Sequence, residues 1–539
     1  MAKRKLRQRE PASRPTPVEP PQIAPSWKKR HVQWLPLVII LLSLGIRGYY
    51  AATYHLNPDE GFNFLFAHQP SLDAVRLETL DPIHTYPPLY AFLLHFVLLF
   101  GDSEFMLRLP TLLFGTLFLA MGFLWMRRLL GYTAALTALL ILAFSPGMVS
   151  IGYEVRNYAL LMACIMLTFY ALERAFAEQS RKWMAIAMAS LYVAILTNYS
   201  AAWVCLVIGI YAAIRIGKGH LKRAVVREWL AWQLGAVGIY VWLYATHISI
   251  LRGSASEAAL REFLKESYYR PLTDSPLAFV WRQNLAVFQY LYEIRWVSAI
   301  ALLLFLAGLW WLASGKDETL THSRMTCFLL GFPPVLGCLL ALAGLYPYGS
   351  SRHSAIFQPF LAAGAGYAIA VLVSRRSWLV PALALLLVPP WIVAAYRGAW
   401  YIPGPDETRT QMQAAMRYIR SLPKGTTIFA DHATLIELGY YLGRDVYSPY
   451  HGRVNPVVEF HYDGYRILCP VALWSLSLED FVPAFYSTME RYQTKSGDIW
   501  VFDYGSGNVA EELAGAGPNL RTRNLHWFGG RLALFQVVN

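Results

Sequence analysis

Long apolar stretches recur along this chain, separated by short polar or basic turns. Runs near the length that a helix needs to cross hydrocarbon, about 20 residues, occupy 33–53, 105–128, 132–149, 157–178, 183–199, 200–216, 226–247, 296–314, 325–346, 355–374 and 378–397. The pattern predicts a polytopic α-helical membrane protein of about eleven spans. One more apolar run, "PPLYAFLLHFVLLFG" at 87–101, is short and opens on two prolines. From about residue 404 the pattern becomes that of a soluble fold. "DETRTQMQAAMRYIRSL" has the spacing of an amphipathic helix, and "GTTIFAD" and "GDIWVFDYG" read as buried strands, each ended by an Asp. A small α/β domain is therefore expected over 404–539. No internal repeat is evident, which weighs against a transporter built from duplicated halves.

Composition agrees with a membrane chain: of 539 residues, 56% are hydrophobic and only 15% charged. The net charge of +13 would suit nucleic acid if it were clustered on a soluble domain, but its placement points to the bilayer instead. Residues 1–31 form a proline-interrupted basic tail, with nine Lys/Arg against two Glu in the first 30. Such a tail is expected to be disordered and to face anionic lipid on the cytoplasmic side. It is too long and polar for a signal-peptide n-region, so 33–53 reads as a retained first helix. Further basic clusters lie at Arg127-Arg128, Arg181-Lys182, 215–223, Lys316 to Arg324 and Arg375-Arg376. All share one side of the membrane only if 87–101 does not cross. That run is accordingly a half-inserted or interfacial helix. The segments 54–104, 149–156, around Asn198-Tyr199, 248–295, 347–354 and 398–539 then share the other, extracytoplasmic face. Four of the five cysteines, Cys164, Cys205, Cys327 and Cys338, lie in apolar runs and only Cys469 in the polar C-terminal part, which supplies neither a disulfide framework nor a zinc spacing.

On that extracytoplasmic face the chain collects polar groups that are costly near a bilayer and are functional candidates for that reason. The first loop holds Asp59 and Glu60 in "YHLNPDEGF", followed by Asp81, His84 and Tyr86 in "DPIHTYPPLY". "SIGYEVRNYALL" adds Glu154, Arg156 and Tyr158; "TNYSA" adds Asn198 and Tyr199; "YPYGSSRHSAIF" adds Tyr348, Arg352 and His353. Each has a structural alternative. Asp59 could cap the helix that follows Asn57-Pro58, with Glu60 in its first turn. Arg156 and Arg352 could snorkel from span ends. His84 and His353 could be hydrogen-bonding residues rather than ligands, and Tyr158 and Tyr199 could belong to an aromatic belt. The joint occurrence fits one chemistry better than these separate roles. A carboxylate serves as base for an acceptor hydroxyl or amine. Arginines grip phosphate through paired hydrogen bonds and stabilise its charge as it leaves. A phosphate at the membrane surface beside an apolar groove describes a polyprenyl phosphate.

The sequence resembles the GT-C superfamily of polyprenyl-phosphate-sugar glycosyltransferases, in particular the bacterial branch similar to protein O-mannosyltransferases and to the aminoarabinose transferase acting on lipid A. The motifs run in order over roughly 33–375: the acidic pair Asp59-Glu60, then "TYPPLYAFLLHFVLLFG" with Tyr86 where histidine is usual. "SEFMLRLPTLLFGTL" follows at Ser103 to Leu117, then "SPGMVSIGYEVRNYALLM" through Arg156 and Tyr158. Last comes "SSRHSAIFQPFLAAGAGYAI", with His353 in place of a tyrosine. The resemblance implies a GT-C-like bundle over 32–403 in which 87–101 lies at the membrane surface. It further implies Asp59 as catalytic or acceptor-orienting carboxylate with Glu60 in support. Arg156, Arg352 and Tyr158 become the donor-phosphate candidates, with Glu154 near the donor; His84, Tyr86, Tyr199 and His353 stay further site candidates by their place on the same face. Metal use differs among such enzymes and stays open here.

The expected activity is an inverting transfer of a sugar from a polyprenyl-phosphate donor to an extracytoplasmic lipid, glycan or protein acceptor, with no nucleic-acid partner. The expected location is a bacterial inner membrane. Rival readings are a transporter or flippase for a lipid-linked sugar, a ligase or polymerase using a diphosphate-linked donor, and a scaffold that binds through its C-terminal domain. A transporter should carry its charges at the midplane, whereas here they gather at one face. Neither the sugar nor the acceptor is legible. The C-terminal domain, by its position alone, is expected to recognise the acceptor or cap the site.

Overall fold

The computed structural model describes residues 33–80, 86–218, 221–253, 257, 261–315, 323–376, 384–397, 402–405, 407–443, 457–470, 478–492, 499–504, 521–529 and 532–538. Within these, the chain is a polytopic helical bundle followed by a small α/β domain. Among the described residues, seven helices are long and apolar enough to cross a membrane: Leu35–Thr53, Glu104–Leu130, Tyr158–Glu178, Arg223–Leu251, Arg295–Ser314, Ser323–Leu342 and Arg352–Arg375. Four shorter helices take the remaining predicted places: Tyr132–Phe144, Arg181–Thr197, Ala201–Gly217 and Ala384–Arg397.

Local chemistry sets the breaks. The run 132–149 is not one helix. Ser145 is extended, and Pro146, which lacks an N–H and suits a first helical position, starts a separate short helix Pro146–Ile151. At Gly131 the backbone turns with φ +83°, letting Glu104–Leu130 fold back into Tyr132–Phe144. The span predicted to stop at 247 continues through a single wide turn, Tyr244–Ile248, to Leu251. Much of 248–295 is helical too, as Pro276–Tyr292.

Contacts between turns sort the bundle into two ends. At one, Arg181 pairs with Glu228, and the Lys222 N–H donates to Gln179 Oε1 at 2.7 Å, joining two of the basic turns. At the other, carboxylates and arginines from the segments around 59, 154 and 352 meet. The apolar run at 87–101 forms the ten-residue helix Leu89–Leu98, half the length of a span. It lies against the first-loop helix Pro58–Ala67, with His95 Nδ1 2.9 Å from the Ala67 carbonyl oxygen. Helices approach closely where side chains are smallest. A Cβ on Gly308 would stand 2.2 Å from the carbonyl oxygen of Gly364 on the neighbouring helix, the tight packing that membrane helices use in place of a hydrophobic drive.

The C-terminal domain is a six-stranded sheet in the order β2-β3-β1-β4-β6-β5. Its strands are β1 Thr427–Phe429, β2 Val457–Tyr462, β3 Tyr465–Pro470, β4 Ile499–Tyr504, β5 Arg521–Gly529 and β6 Leu532–Val538. β1 runs parallel to β3 and β4; the other pairs are antiparallel. Strand alternation divides its core. Ile428, Ile467 and Trp500 face the helix Arg409–Ser421, while Phe429, Leu468 and Val501 face Phe485 of the helix Leu478–Arg491. Asp431, at the end of the "TIFAD" strand, caps the next helix, His432–Leu438, by accepting from the Thr434 N–H.

That short helix docks the domain onto the first loop. Gly61 allows the approach: a Cβ there would lie 2.7 Å from Ile436 Cγ2. Phe62 meets the His432 ring, Phe64 meets Tyr440, and the Tyr441 hydroxyl accepts from the Leu56 N–H at 3.1 Å.

Candidate active site

The site begins with the capping of one helix. Asn57 is extended and its side chain accepts from the Glu60 N–H at 3.0 Å. Glu60 Oε2 accepts from the Asn57 N–H at 3.0 Å, closing a reciprocal box, with Pro58 at the first helical position. The cap is therefore Asn57, and the Asp59 carboxylate is left for other work. Successive helical residues point about 100° apart, so the adjacent acids diverge.

Glu60 turns inward. Its carboxylate receives Arg108 Nε at 2.8 Å and Nη2 at 2.6 Å, and also the Val155 N–H at 2.9 Å. Both side chains of the pair are 1% exposed, out of substrate's reach. Arg108 also donates to the carbonyls of Ala51, Tyr54 and His55 as the first span ends. Glu60 is thus a brace, tying the Asp59 helix to the Arg156 turn.

Asp59 turns outward and is clamped. Arg156 Nη1 lies 3.1 Å from Oδ1 and Arg352 Nη2 2.6 Å from Oδ2. Arg352 also reaches Glu154 Oε2 through Nη1 at 3.0 Å, and Glu154 Oε1 accepts from the Ser150 hydroxyl at 2.5 Å. The Asp59 side chain keeps 25% of its surface exposed and Arg352 22%, so both can meet a substrate. Burial pushes the Asp59 carboxyl up, but the combined charge of Arg156 and Arg352 outweighs it and holds the pKa at about 2. Burial moves Glu154 the other way, above its ordinary value, against the pull of Arg352.

The turn carrying Arg156 is supported from below. Arg47, fully buried, donates to the carbonyls of Leu142 and Met148 and to the Ser43 hydroxyl. Gly152 makes room for it, since a Cβ there would lie 2.0 Å from Arg47 Nε. Around the clamp, the Arg156 guanidinium carbon stands 5.9 Å from the Tyr158 ring centroid, and the His353 ring meets Tyr158 edge-on at 6.3 Å. The Tyr346 hydroxyl donates to the His353 carbonyl at 2.7 Å, pinning the Arg352 turn. Tyr86 donates to Asn63 Oδ1, whose amide in turn donates to the Asp59 carbonyl at 2.8 Å.

The structure therefore brings Asp59, Glu154, Arg156, Tyr158, Arg352 and His353 together, with Tyr86 one residue behind through Asn63. Tyr199 has a different partner: its hydroxyl is 2.5 Å from His247 Nδ1. Asp81 and His84 lie outside the described residues. Arg108, Arg47, Asn63 and Ser150 take parts that the sequence reading did not assign. Arg108 carried a usable signal, an arginine set inside an apolar run. Among the described residues no group of three His, Cys, Asp or Glu is arranged to hold a metal ion.

Residues 85–244 match the protein family described as dolichyl-phosphate-mannose-protein mannosyltransferase. The GT-C resemblance stands. The matched segment contains Tyr86, Arg108, Glu154, Arg156 and Tyr158. Asp59 and Arg352 come from either side of it and join the cluster through their ion pairs. Among solved structures, the chain is similar to ArnT from Cupriavidus metallidurans bound to undecaprenyl phosphate, with 16% identity, 94% of this chain and 98% of that chain covered, and a TM-score of 0.48. It is also similar to the archaeal oligosaccharyltransferase AglB from Archaeoglobus fulgidus in complex with an inhibitory peptide and a dolichol-phosphate, with 12% identity, 88% and 70% covered, and a TM-score of 0.47. No curated relative matches the sequence.

Proposed function

We propose that this protein is an integral-membrane glycosyltransferase that moves a sugar from a polyprenyl-phosphate donor to an acceptor on the extracytoplasmic face. The observation that carries the reading is the double clamp on Asp59 by Arg156 and Arg352, which arrive from separate segments. Two guanidiniums converging on one half-buried oxyanion form a phosphate-binding arrangement, since the same donors can shift from carboxylate to phosphate.

The chemistry follows from that competition. The donor's phosphate takes up Arg156 and Arg352, and Asp59 loses part of the positive field that suppresses its basicity. The freed carboxylate accepts the proton of the acceptor nucleophile as the nucleophile attacks the anomeric carbon. The carbon–oxygen bond to phosphate breaks, and the arginines hold the leaving phosphate's growing charge. Attack from the side opposite the phosphate inverts the anomeric centre. Glu154 keeps Arg352 aimed, and Glu60 with Arg108 keeps the two loops in register.

Two results are expected. Arg352→Ala should weaken donor binding by about 10- to 100-fold, the loss of one to two charge-assisted hydrogen bonds. It should leave the folded yield near wild type; a change in yield alone would favour a snorkelling role. The pH profiles should also separate. In the free protein Asp59 is ionised well below neutrality, so kcat/KM should show no acid limb from it between about pH 5 and pH 8. In the donor complex, with the arginines shared, its pKa rises, so kcat should fall at a higher pH than kcat/KM does. Coincident profiles in a pH-titrated transfer assay would remove the competition step. The C-terminal domain, docked on the helix that carries Asp59, is assigned a positioning role; deleting 404–539 with transfer rate and acceptor choice both unchanged would remove it.

A further inference from the structure

A cavity rimmed by charged side chains lies where the C-terminal domain meets the membrane bundle. It measures about 380 Å³ and is lined by Ser103, Glu104, Arg409, Arg417, Arg420 and the paired rings of Tyr440 and Tyr441, among others. Its volume falls within the range of small-molecule sites, roughly 300–1,000 Å³. None of these residues belongs to the Asp59 clamp.

Charge in the cavity is one-sided. Three guanidiniums face a single carboxylate, Glu104, which is engaged by Arg409 and by the Tyr441 hydroxyl. Arg420 donates to the Tyr441 carbonyl at 2.8 Å and stands 3.8 Å from Asp463 Oδ2. Arg417 is exposed and has no ion-pair or hydrogen-bond partner among the described residues. Arg409, Arg417 and Arg420 recur at i, i+8 and i+11 of the helix Arg409–Ser421, which places them along one side of it. With Arg409 and Arg420 each near a carboxylate, Arg417 leaves the pocket an uncompensated positive charge that suits an anion.

Depth selects which anion. Ser103 and Glu104 open the spanning helix Glu104–Leu130. Immediately beside them Leu99 is 73% exposed, Phe100 80% and Phe105 42%. Large apolar side chains left bare at the mouth of a span belong in lipid. The cavity floor thus sits at the level where lipid phosphates lie. We infer that the junction between Glu104 and the helix Arg409–Ser421 is a binding site for the phosphate of an anionic membrane lipid, separate from the Asp59 site.

The test uses the purified full-length protein in detergent, titrated with phosphatidylglycerol and read by native mass spectrometry. The double variant Arg417→Gln/Arg420→Gln should weaken the tightest phosphatidylglycerol by about tenfold. Arg417→Lys/Arg420→Lys should retain most of the binding, because the charge remains. Arg252→Gln, an exposed arginine away from the cavity, should change nothing. Phosphatidylcholine should not occupy the site. Equal binding by wild type and the double Gln variant overturns the proposal. So does retention of inorganic phosphate at these arginines without any phosphatidylglycerol, which would mark a soluble-anion site. Loss of sugar transfer is not a readout here, so failure of this site and failure of the glycosyltransferase reading are distinguishable.

Discussion

Asp59→Asn should lower sugar transfer by about 10³- to 10⁴-fold, at the upper end of what a positioned base contributes, while donor binding stays within a few-fold of wild type. Asparagine nearly matches aspartate in size and can still accept from one of the two guanidiniums through its carbonyl oxygen. It cannot take a proton from the acceptor. Removing the negative charge also frees both guanidiniums for the donor's phosphate, so donor affinity should hold or improve. That split, chemistry lost with binding kept, separates a catalytic carboxylate from a structural one. A merely structural Asp59 would show its loss in melting temperature and donor binding together. Rates would come from single-turnover transfer, and affinity from donor titration of the inactive variant.

The largest effect on stability is expected at Arg108. Its guanidinium pairs with Glu60 at 2.6 Å, both side chains being 1% exposed, and also satisfies three backbone carbonyls. Arg108→Ala leaves the Glu60 carboxylate buried and unpaired and frees those carbonyls. Breaking a buried ion pair on one side costs about 3–5 kcal/mol, so the variant should lose folded yield or melt several degrees lower. Glu60→Gln should be milder, because its amide oxygen can still accept from the Val155 N–H while the cap of Asn57 by that side chain weakens. The check is the apparent melting temperature of detergent-purified protein, with a shift smaller than that of an exposed control such as Arg252→Ala counting against the brace.

The parts of this site that the sequence made legible are those where a charge stands out against apolar surroundings. Asp59, Arg156 and Arg352 are of that kind, and the alternation of basic and acidic turns already put them at one end of the bundle. The division between Asp59 and Glu60 was not legible. Adjacent letters suggest a shared task, but a helix sends neighbours in different directions, and Glu60's partners, Arg108 and Val155, lie 48 and 95 positions away. The break at Pro146 could be read from the residue itself, had the apolar run not hidden it. In the C-terminal domain the amphipathic helix and two strands were legible from periodicity. Its docking through Gly61 and Ile436 was not, because it depends on the fit of two surfaces far apart in the chain. Tyr199, put forward from its place at a span end, has its hydroxyl on His247, a partner the sequence did not single out.

The most direct measurement is the fate of the donor. Purified full-length protein in nanodiscs would be given a panel of hexose- and pentose-bearing polyprenyl phosphates together with a membrane extract as source of acceptor, and the lipid fraction followed by mass spectrometry. At least one donor should be converted to free polyprenyl phosphate with its sugar passed on, and Asp59→Asn should reduce this to background. Donors that are bound or translocated but recovered intact, or the same cleavage in Asp59→Asn as in wild type, would contradict the glycosyltransferase reading.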